Sequence, residues 1–122
     1  PIDIWNLVEH GIDTFDCVSP TRLARHGTAL VRTKLGKINI KNLKFQKKLF
    51  PIDKNCSCIT CSNYTLSYLH HLFRSEELVA FQLLTIHNIF FMNNLMKYIR
   101  QSIEKNNLKE AKKKWLTSSF VV

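Results

Sequence analysis

The sequence predicts an α/β protein whose C-terminal half is helical. Near the N-terminus, an amphipathic segment is followed at once by a short, apolar and β-branched one, which is half of an α/β repeat. From residue 62 onward the apolar period lengthens to that of helices. Between these parts lies a dense cysteine cluster. The chain has 122 residues, of which 45% are hydrophobic, so we expect one packed domain and not a disordered tail.

The N-terminal segment is predicted to form one helix and one buried strand. Residues 2–10 have helical spacing of their apolar side chains, with Asp3 as the N-cap and Gly11 as the stop. Residues 12–18 are apolar and β-branched or aromatic, which predicts a buried strand. Asp16 then lies at the C-terminal edge of that strand.

A hairpin and a short helix are predicted to follow. Residues 28–31 and 38–40 are strand-like and flank Gly36, a pattern typical of a hairpin. Residues 42–49 suit a short basic helix, which leads toward the cysteines.

The C-terminal half is predicted to be helical. A first apolar face after residue 62 comprises Tyr64, Tyr68, Leu69 and Leu72. Residues 76–104 are expected to form two helices or one bent helix, and their apolar stretch 78–92 is interrupted by polar residues and predicted to fall short of a membrane span. The tail 106–122 has a Lys-rich turn, Trp115 and Phe120, and the sequence assigns it no docking site.

The chain is strongly basic. Lys and Arg number 18 against nine Asp and Glu, which gives a formal charge of +9. Such a surplus attracts polyanions, and phosphate contacts would make binding salt-dependent. A solvated basic surface explains the same surplus, so charge alone leaves nucleic-acid binding open. The chain opens without the basic start and apolar block of a signal peptide, and with its reduced-looking cysteines this predicts a cytoplasmic protein.

The cysteine cluster predicts a metal site. Cys56, Cys58 and Cys61 lie within six residues, and His87 follows 26 residues after Cys61. Three thiolates and one imidazole form the Cys₃His set of structural zinc sites. Disulfides are the alternative, but bonds within C-x-C and C-x-x-C close very small, strained loops. A secreted disulfide framework would also spread its cysteines more widely.

Asp16 is the candidate catalytic carboxylate. A carboxylate that ends a buried parallel strand lies where α/β barrels place their catalytic groups. The alternative is a turn or capping residue, with the Asp16 side chain bonded to the backbone of Ser19 or Thr21. The neighbouring Cys17 is interpreted as strand packing and not as a chemical group.

Arg22 and Arg25 are candidate nucleic-acid contacts. They lie three residues apart, so one helical turn would present both guanidinium groups together. Planar guanidinium forks suit phosphates and base edges. A pair of surface salt bridges is the alternative.

Taken in order, these segments resemble the bacterial queuine tRNA-ribosyltransferase (tRNA-guanine transglycosylase) family. The resemblance runs collinearly from residue 1 to about residue 103. Its motifs are residues 11–27 (GIDTFDCVSPTRLARHG), 38–42 (INIKN), 51–53 (PID), 56–61 (CSCITC), 68–73 (YLHHLF) and 85–88 (TIHN).

The resemblance implies the C-terminal third of an enzyme built on a TIM (β/α)₈ barrel with a zinc-binding subdomain. Residues 1–50 would supply the last barrel strands, 51–104 the helical zinc-binding subdomain and 105–122 a C-terminal tail. Such an enzyme exchanges the wobble guanine of certain tRNAs for a deazaguanine precursor of queuine. It is expected to contact the tRNA anticodon loop, to bind guanine or deazaguanine, and to form a homodimer at full length.

The resemblance also implies roles for particular residues. Asp16 matches the nucleophile of the family, and the metal ligands match Cys56, Cys58, Cys61 and His87. The segment that recognises the wobble base matches Thr21, Arg22, Leu23, Ala24 and Arg25. The end of a second RNA-contacting loop matches Pro1, Ile2 and Asp3. The proton-transferring Asp and most of the base pocket of the family lie upstream of the matching region.

Two other functions are left open by the residues themselves. One is a non-catalytic, zinc-stapled RNA-binding module, and the other is an inactive remnant. The preserved sequence around Asp16 favours the enzyme, because a simple binding module has no need of that carboxylate. We expect that this chain alone binds tRNA weakly and does not exchange bases.

Overall fold

Helices packed on a small hairpin make up the structure. The computed structural model of the chain describes residues 1–33 and 35–117. The elements in order are α1 (Ile2–Glu9), α2 (Ser19–Arg25), β1 (Thr28–Leu30), β2 (Lys37–Asn39), a 3₁₀ turn (Leu43–Phe45), α3 (Ile59–Asn63), α4 (Leu66–Arg74), α5 (Leu78–Glu104) and α6 (Leu108–Thr117).

Helix α1 confirms the first predicted helix. Its N-cap is Pro1, so Asp3 lies in the first turn and is not the N-cap that the sequence predicted. A carboxylate in the first turn still interacts favourably with the helix dipole. Gly11 follows the helix with a φ of +89°, in the left-handed region that glycine tolerates best.

The predicted buried strand at residues 12–18 is wrong. These residues form no strand, and all but the half-buried Phe15 are exposed. A barrel strand obtains its hydrogen bonds from strands on either side. The two strands within residues 1–33 and 35–117 pair with each other, and neither pairs with residues 12–18. Asp16 therefore lies in an exposed loop.

The predicted hairpin is confirmed. Strands β1 and β2 are antiparallel, with Ala29 opposite Ile38. The predicted basic helix at residues 42–49 is shorter than expected, because only the 3₁₀ turn Leu43–Phe45 forms. The Asn42 side chain accepts a hydrogen bond from the Lys44 N–H and so starts that turn.

Helix α4 confirms only part of the predicted apolar face. Leu69 and Leu72 are buried, whereas Tyr68 is 43% exposed. Tyr64 precedes the helix and stacks on Tyr68, with 5.4 Å between the ring centroids. The Thr65 hydroxyl accepts a hydrogen bond from the Tyr68 N–H and caps the helix start.

Helix α5 is the central helix of the fold. It is continuous over 27 residues, so the single-helix alternative is correct. By length and composition alone the whole helix Leu78–Glu104 could cross a membrane. The core helix of a packed domain passes the same test, and α5 buries the polar His87 and Asn88 together with its apolar face.

Two apolar clusters flank α5. The first joins α2, the hairpin, α3 and α4 to the N-terminal half of α5. The second consists of Trp5, Leu30, Phe91, Leu95, Ile99, Ala111 and Trp115.

The tail has a docking site that the sequence did not reveal. Helix α6 inserts Trp115 into the second cluster, where its ring centroid lies 5.9 Å from that of Phe91 and 6.4 Å from that of Trp5. Lys112 of the same helix forms an ion pair with Glu9 of α1. Phe120 lies outside the described residues.

Candidate metal centre and the adjoining loop

The four predicted metal ligands converge. Cys56 lies in the loop before α3, Cys58 caps that helix, Cys61 lies within it and His87 comes from the middle of α5. The three sulfur atoms lie 3.8, 3.6 and 3.3 Å from His87 Nδ1, in sequence order. All four ligand atoms lie within 4.8 Å of one another.

These distances fit a tetrahedral metal ion. Bonds of about 2.3 Å to sulfur and about 2.0 Å to nitrogen, at tetrahedral angles, separate a sulfur and a nitrogen ligand by about 3.6 Å. The observed separations bracket that value. All cysteines are free thiols, so the disulfide alternative is wrong. The cluster can hold a four-coordinate metal ion.

A backbone carbonyl orients the His87 ring. Nε2–H donates a hydrogen bond of 2.9 Å to the Leu30 carbonyl, which turns Nδ1 toward the three sulfur atoms. Such second bonds fix the tautomer and the plane of a ligating imidazole. His87 is fully buried, so the ring has no water to compete for either nitrogen.

Hydrogen bonds among the three thiols shift the pKa values of Cys58 and Cys61 in opposite directions. Hydrogen bonds with Cys56 and Cys61 lower the pKa of Cys58, whereas bonds with Cys56 and Cys58 raise the pKa of Cys61. One thiolate is therefore favoured, and ionisation of a further thiol is opposed. A divalent cation would favour ionisation of the remaining thiols, because it binds thiolates and not thiols.

Asp53 shapes the loop that carries Cys56. Its carboxylate accepts a hydrogen bond of 2.8 Å from the Asn55 N–H, and its carbonyl accepts one of 3.2 Å from the Cys56 N–H. Asp53 is buried. Sequence reasoning assigned it no role, although Asp is a common turn residue whose side chain bonds to the backbone two residues on.

Asp16 borders an open depression in front of α2. The residues around this depression are Asp16, Cys17, Val18, Ser19, Arg22, Leu23 and His26.

Asp16 does not cap α2. The residue before the helix is Val18, and no side chain bonds to the helix start. The turn is held instead by the Ser19 N–H, which donates to Cys17 Sγ at 3.3 Å, and by the Thr21 hydroxyl, which donates to the Val18 carbonyl at 3.0 Å. The capping alternative for Asp16 is therefore wrong, and its carboxylate is exposed.

Helix α2 presents two of its predicted contacts to solvent. Arg22 and Arg25 are both exposed, and in the part of the chain that the structure describes neither forms an ion pair, so the salt-bridge alternative is not observed. Leu23 packs against the second apolar cluster and Ala24 is fully buried. The Ala24 side chain is therefore inaccessible in this structure, and its role as an RNA-binding residue stays a prediction.

The remaining predicted contacts lie elsewhere. Ile2 and Asp3 are exposed in the first turn of α1, and neither they nor Pro1 borders the depression. Pro1 lies beside the hairpin turn, where a Cβ added to Gly36 would come within 3.2 Å of Pro1 Cδ.

Comparison with known proteins decides the family. The sequence model for queuine tRNA-ribosyltransferase matches residues 1–120. The chain belongs to the queuine tRNA-ribosyltransferase family.

Sequence identity to curated queuine tRNA-ribosyltransferases supports this assignment. The one from Dehalococcoides mccartyi is 50% identical over 117 residues, which cover 96% of this chain and 29% of the relative. The one from Thermotoga petrophila is 53% identical over 111 residues, or 91% of this chain and 30% of the relative. The one from Clostridium kluyveri is 48% identical over 116 residues, which cover 95% of this chain and 30% of the relative. The chain thus spans about 30% of the length of the curated relatives that it matches.

Proposed function

We propose that this chain is the nucleophile-bearing and zinc-bearing portion of a tRNA-guanine transglycosylase. The observation that carries this proposal is the family match over residues 1–120, which includes Asp16 and all four metal ligands. In the assembled enzyme we assign residues 1–50 to the last strands of a TIM barrel. Residues 51–104 form the zinc-binding subdomain and 105–122 the C-terminal tail.

Asp16 is the nucleophile in this proposal. Its carboxylate attacks the ribose anomeric carbon of the wobble guanosine, and the bond from that carbon to guanine breaks with its electron pair moving to the base. The carboxylate stabilises the oxocarbenium-like charge and traps it as an ester. The incoming deazaguanine, after losing a proton, attacks the same carbon and releases Asp16. Two inversions leave the new base on the original face of the sugar.

Proton transfer requires a second carboxylate. The departing guanine must gain a proton and the incoming base must lose one. The resemblance places that residue in the part of the relatives that this chain does not span. The loop around Asp16 is therefore one half of an active site.

Helix α2 supplies the RNA contacts that support this function. Arg22 borders the same depression as Asp16, and Arg25 lies one helical turn further on, exposed. With a formal charge of +9, the chain attracts the phosphates of a tRNA anticodon loop. Thr21, Arg22 and Arg25 face the wobble base and its neighbours. We further propose that the full enzyme is a cytoplasmic homodimer, as the resemblance implies.

Zinc is the proposed metal ion. A set of three thiolates and one imidazole with near-tetrahedral separations is typical of structural zinc. Cys56, Cys58, Cys61 and His87 would hold it, and the ion would join the loop before α3 to α5. With four protein ligands no position is open for a water or a substrate, so its contribution is structural.

A guanine exchange assay with a matched pair of variants tests the proposal. The chain is purified with a polypeptide that supplies the remaining length of a relative, and incorporation of labelled guanine into a tRNA with the cognate anticodon is measured. Asp16→Asn should reduce exchange by more than about 10³-fold, because the nucleophile is lost. Asp13→Asn is the control, since Asp13 is an exposed carboxylate in the same loop. The chain without its companion should show no exchange.

Each outcome of the assay has a definite meaning. Exchange that survives Asp16→Asn would contradict the role of Asp16. A covalent RNA adduct that resists denaturation in the wild type and is absent from Asp16→Asn would support it. Salt-sensitive tRNA binding without exchange in any preparation would instead support the non-catalytic RNA-binding module.

A further inference from the structure

Asn88 is a fully buried amide that the proposed chemistry does not use. It follows the metal ligand His87 on α5 and is 0% exposed. Its Oδ1 accepts a hydrogen bond of 2.9 Å from the Leu30 N–H. Its Nδ2 donates one hydrogen to the Pro20 carbonyl and the other to the Thr28 carbonyl, both at 3.0 Å. Both hydrogens of the amide and one lone pair of its oxygen are therefore used.

Two of these bonds lie on the open edge of β1. In an antiparallel strand the backbone groups of successive residues point alternately toward the partner strand and away from it. The Gly27 carbonyl and the Val31 N–H bond to the β2 side of the hairpin. The groups of Thr28 and Leu30 therefore point outward, toward α5. The Asn88 amide bonds to the Leu30 N–H and the Thr28 carbonyl on this edge, as the peptide group of a third strand would.

The metal ligand bonds to the same edge. His87 Nε2–H donates to the Leu30 carbonyl, while Asn88 accepts from the Leu30 N–H. Two consecutive residues of α5 thus hold both backbone groups of Leu30. The metal ligand and Asn88 therefore share Leu30 as a hydrogen-bonding partner.

The third bond of Asn88 reaches α2. Pro20 lies in the first turn of that helix, which also carries Arg22 and Arg25. Helix α2 packs along α5 mainly through small and apolar side chains, such as the fully buried Ala24. Such contacts are non-directional, so they allow sliding and rotation that a hydrogen bond opposes.

We propose that Asn88 is a positioning residue that fixes α2, and with it Arg22 and Arg25, relative to the metal centre. Through Asn88 and His87, occupancy of the metal site and the orientation of the arginine pair are coupled. The inference rests on the proposed function in one respect, namely that the arginine pair contacts RNA. The position of α2 itself does not depend on that function.

Asn88→Asp isolates the proposed role. The carboxylate is nearly isosteric with the amide and keeps an acceptor for the Leu30 N–H, but it places an oxygen opposite the Pro20 and Thr28 carbonyls. Thr60→Val is the matched control. It is also nearly isosteric and removes a buried donor, since the Thr60 hydroxyl donates to the Leu83 carbonyl at 2.6 Å and joins α3, not α2, to α5.

Three quantities are measured on the zinc-loaded full chain. They are zinc content, amide hydrogen exchange resolved to α2, and affinity for an anticodon-loop RNA hairpin at several salt concentrations. In Asn88→Asp we expect zinc to be retained and α2 amides to exchange at least about tenfold faster, the effect of two lost hydrogen bonds. RNA affinity should fall by about tenfold, as expected for the loss of one or two arginine contacts. Thr60→Val should leave α2 exchange and RNA affinity as in the wild type.

The contrary outcomes are equally clear. Wild-type exchange rates in α2 of Asn88→Asp would overturn the inference, and so would equal acceleration by Thr60→Val. Faster exchange with unchanged RNA affinity would overturn the coupling to RNA. If Asn88→Asp loses zinc and unfolds, Asn88→Ser, which is smaller and uncharged, replaces it under the same criteria. Failure of the wild type to bind RNA would count against the proposed function, while α2 exchange would still decide the role of Asn88.

Discussion

The metal cluster and the Asp16 loop carry the two main predicted functional groups, and they are built in opposite ways. The cluster is buried or half-buried, with its ligands fixed by hydrogen bonds to Leu30 and to the start of α3. The loop at residues 12–18 has no regular structure and is mostly exposed. The metal ligands converge within the described residues, whereas no strand pairs with the loop there.

The difference shows that some sites can form from residues close in sequence, whereas others need hydrogen bonds to distant segments. Cys56, Cys58 and Cys61 are so close in sequence that a short turn and one helical turn bring their sulfur atoms together. A strand cannot form from nearby residues alone, because its backbone N–H and C=O groups must bond to other strands. Apolar residues of the loop consequently stay exposed, and Val18 keeps 62% of its surface accessible to solvent.

Removal of the metal should give the largest effect on the first of these regions. Structural zinc in small domains contributes on the order of 10 kcal/mol to folding, so chelation or Cys61→Ser should abolish the cooperative thermal transition. Acid should have the same effect, because thiolates must be deprotonated to bind metal and stability therefore falls as pH falls. Circular dichroism melts with metal analysis measure this loss. Cys17→Ser is the control, since Cys17 is exposed and outside the cluster, and an equal loss there would contradict the assignment.

Truncating one apolar side chain in each region should sharpen the comparison. Leu84 is fully buried beside the metal cluster, so Leu84→Ala should cost about 2–5 kcal/mol in free energy of unfolding. Val18→Ala in the exposed loop should change it by less than about 0.5 kcal/mol. Urea unfolding of the zinc-loaded chain measures both values. Similar costs would mean that residues 12–18 are packed in solution.

The smallest effect is expected at the contact between the two terminal helices. Lys112 bonds to both Glu9 and Asn6 on α1, but the paired Lys112 and Glu9 side chains keep 20% and 24% of their surface exposed. Glu9→Gln should therefore cost at most about 1 kcal/mol, and less at high salt. Urea unfolding at two salt concentrations measures it. A loss as large as that of Leu84→Ala would show that α6 is held by charge and not by Trp115.

The sequence predicted those parts of the fold that depend on neighbours along the chain. Helical periodicity located α1, α4 and α5, Gly36 located the hairpin, and ligand spacing located the metal cluster. Whether residues 76–104 form one helix or two was left open, because His87 and Asn88 interrupt the apolar pattern. Both are buried and hydrogen-bonded to Leu30, more than 50 positions away, and no local pattern reveals such a partner.

The parts that were missed depend on distant contacts. A strand at residues 12–18 would need hydrogen-bonding strands beside it, which the local apolar pattern does not reveal, and the docking of α6 requires Trp5 at the opposite end of the sequence. The burial of Ala24 was missed for a related reason. The arginine pair indicated an RNA-facing helix, but which of its faces packs against α5 is decided by the tertiary fold.

The packing of Trp115 against Trp5 also sets an order of events during protein synthesis. The two residues are about 110 positions apart, so at ribosomal rates of about 5–20 residues per second the second one is made roughly 5–20 s after the first. Throughout that interval the indole of α1 lacks the aromatic partner that covers it in the finished protein. The second apolar cluster is therefore completed only after α6 has left the ribosome, whereas His87, the last of the metal ligands, is made 28 residues before Trp115.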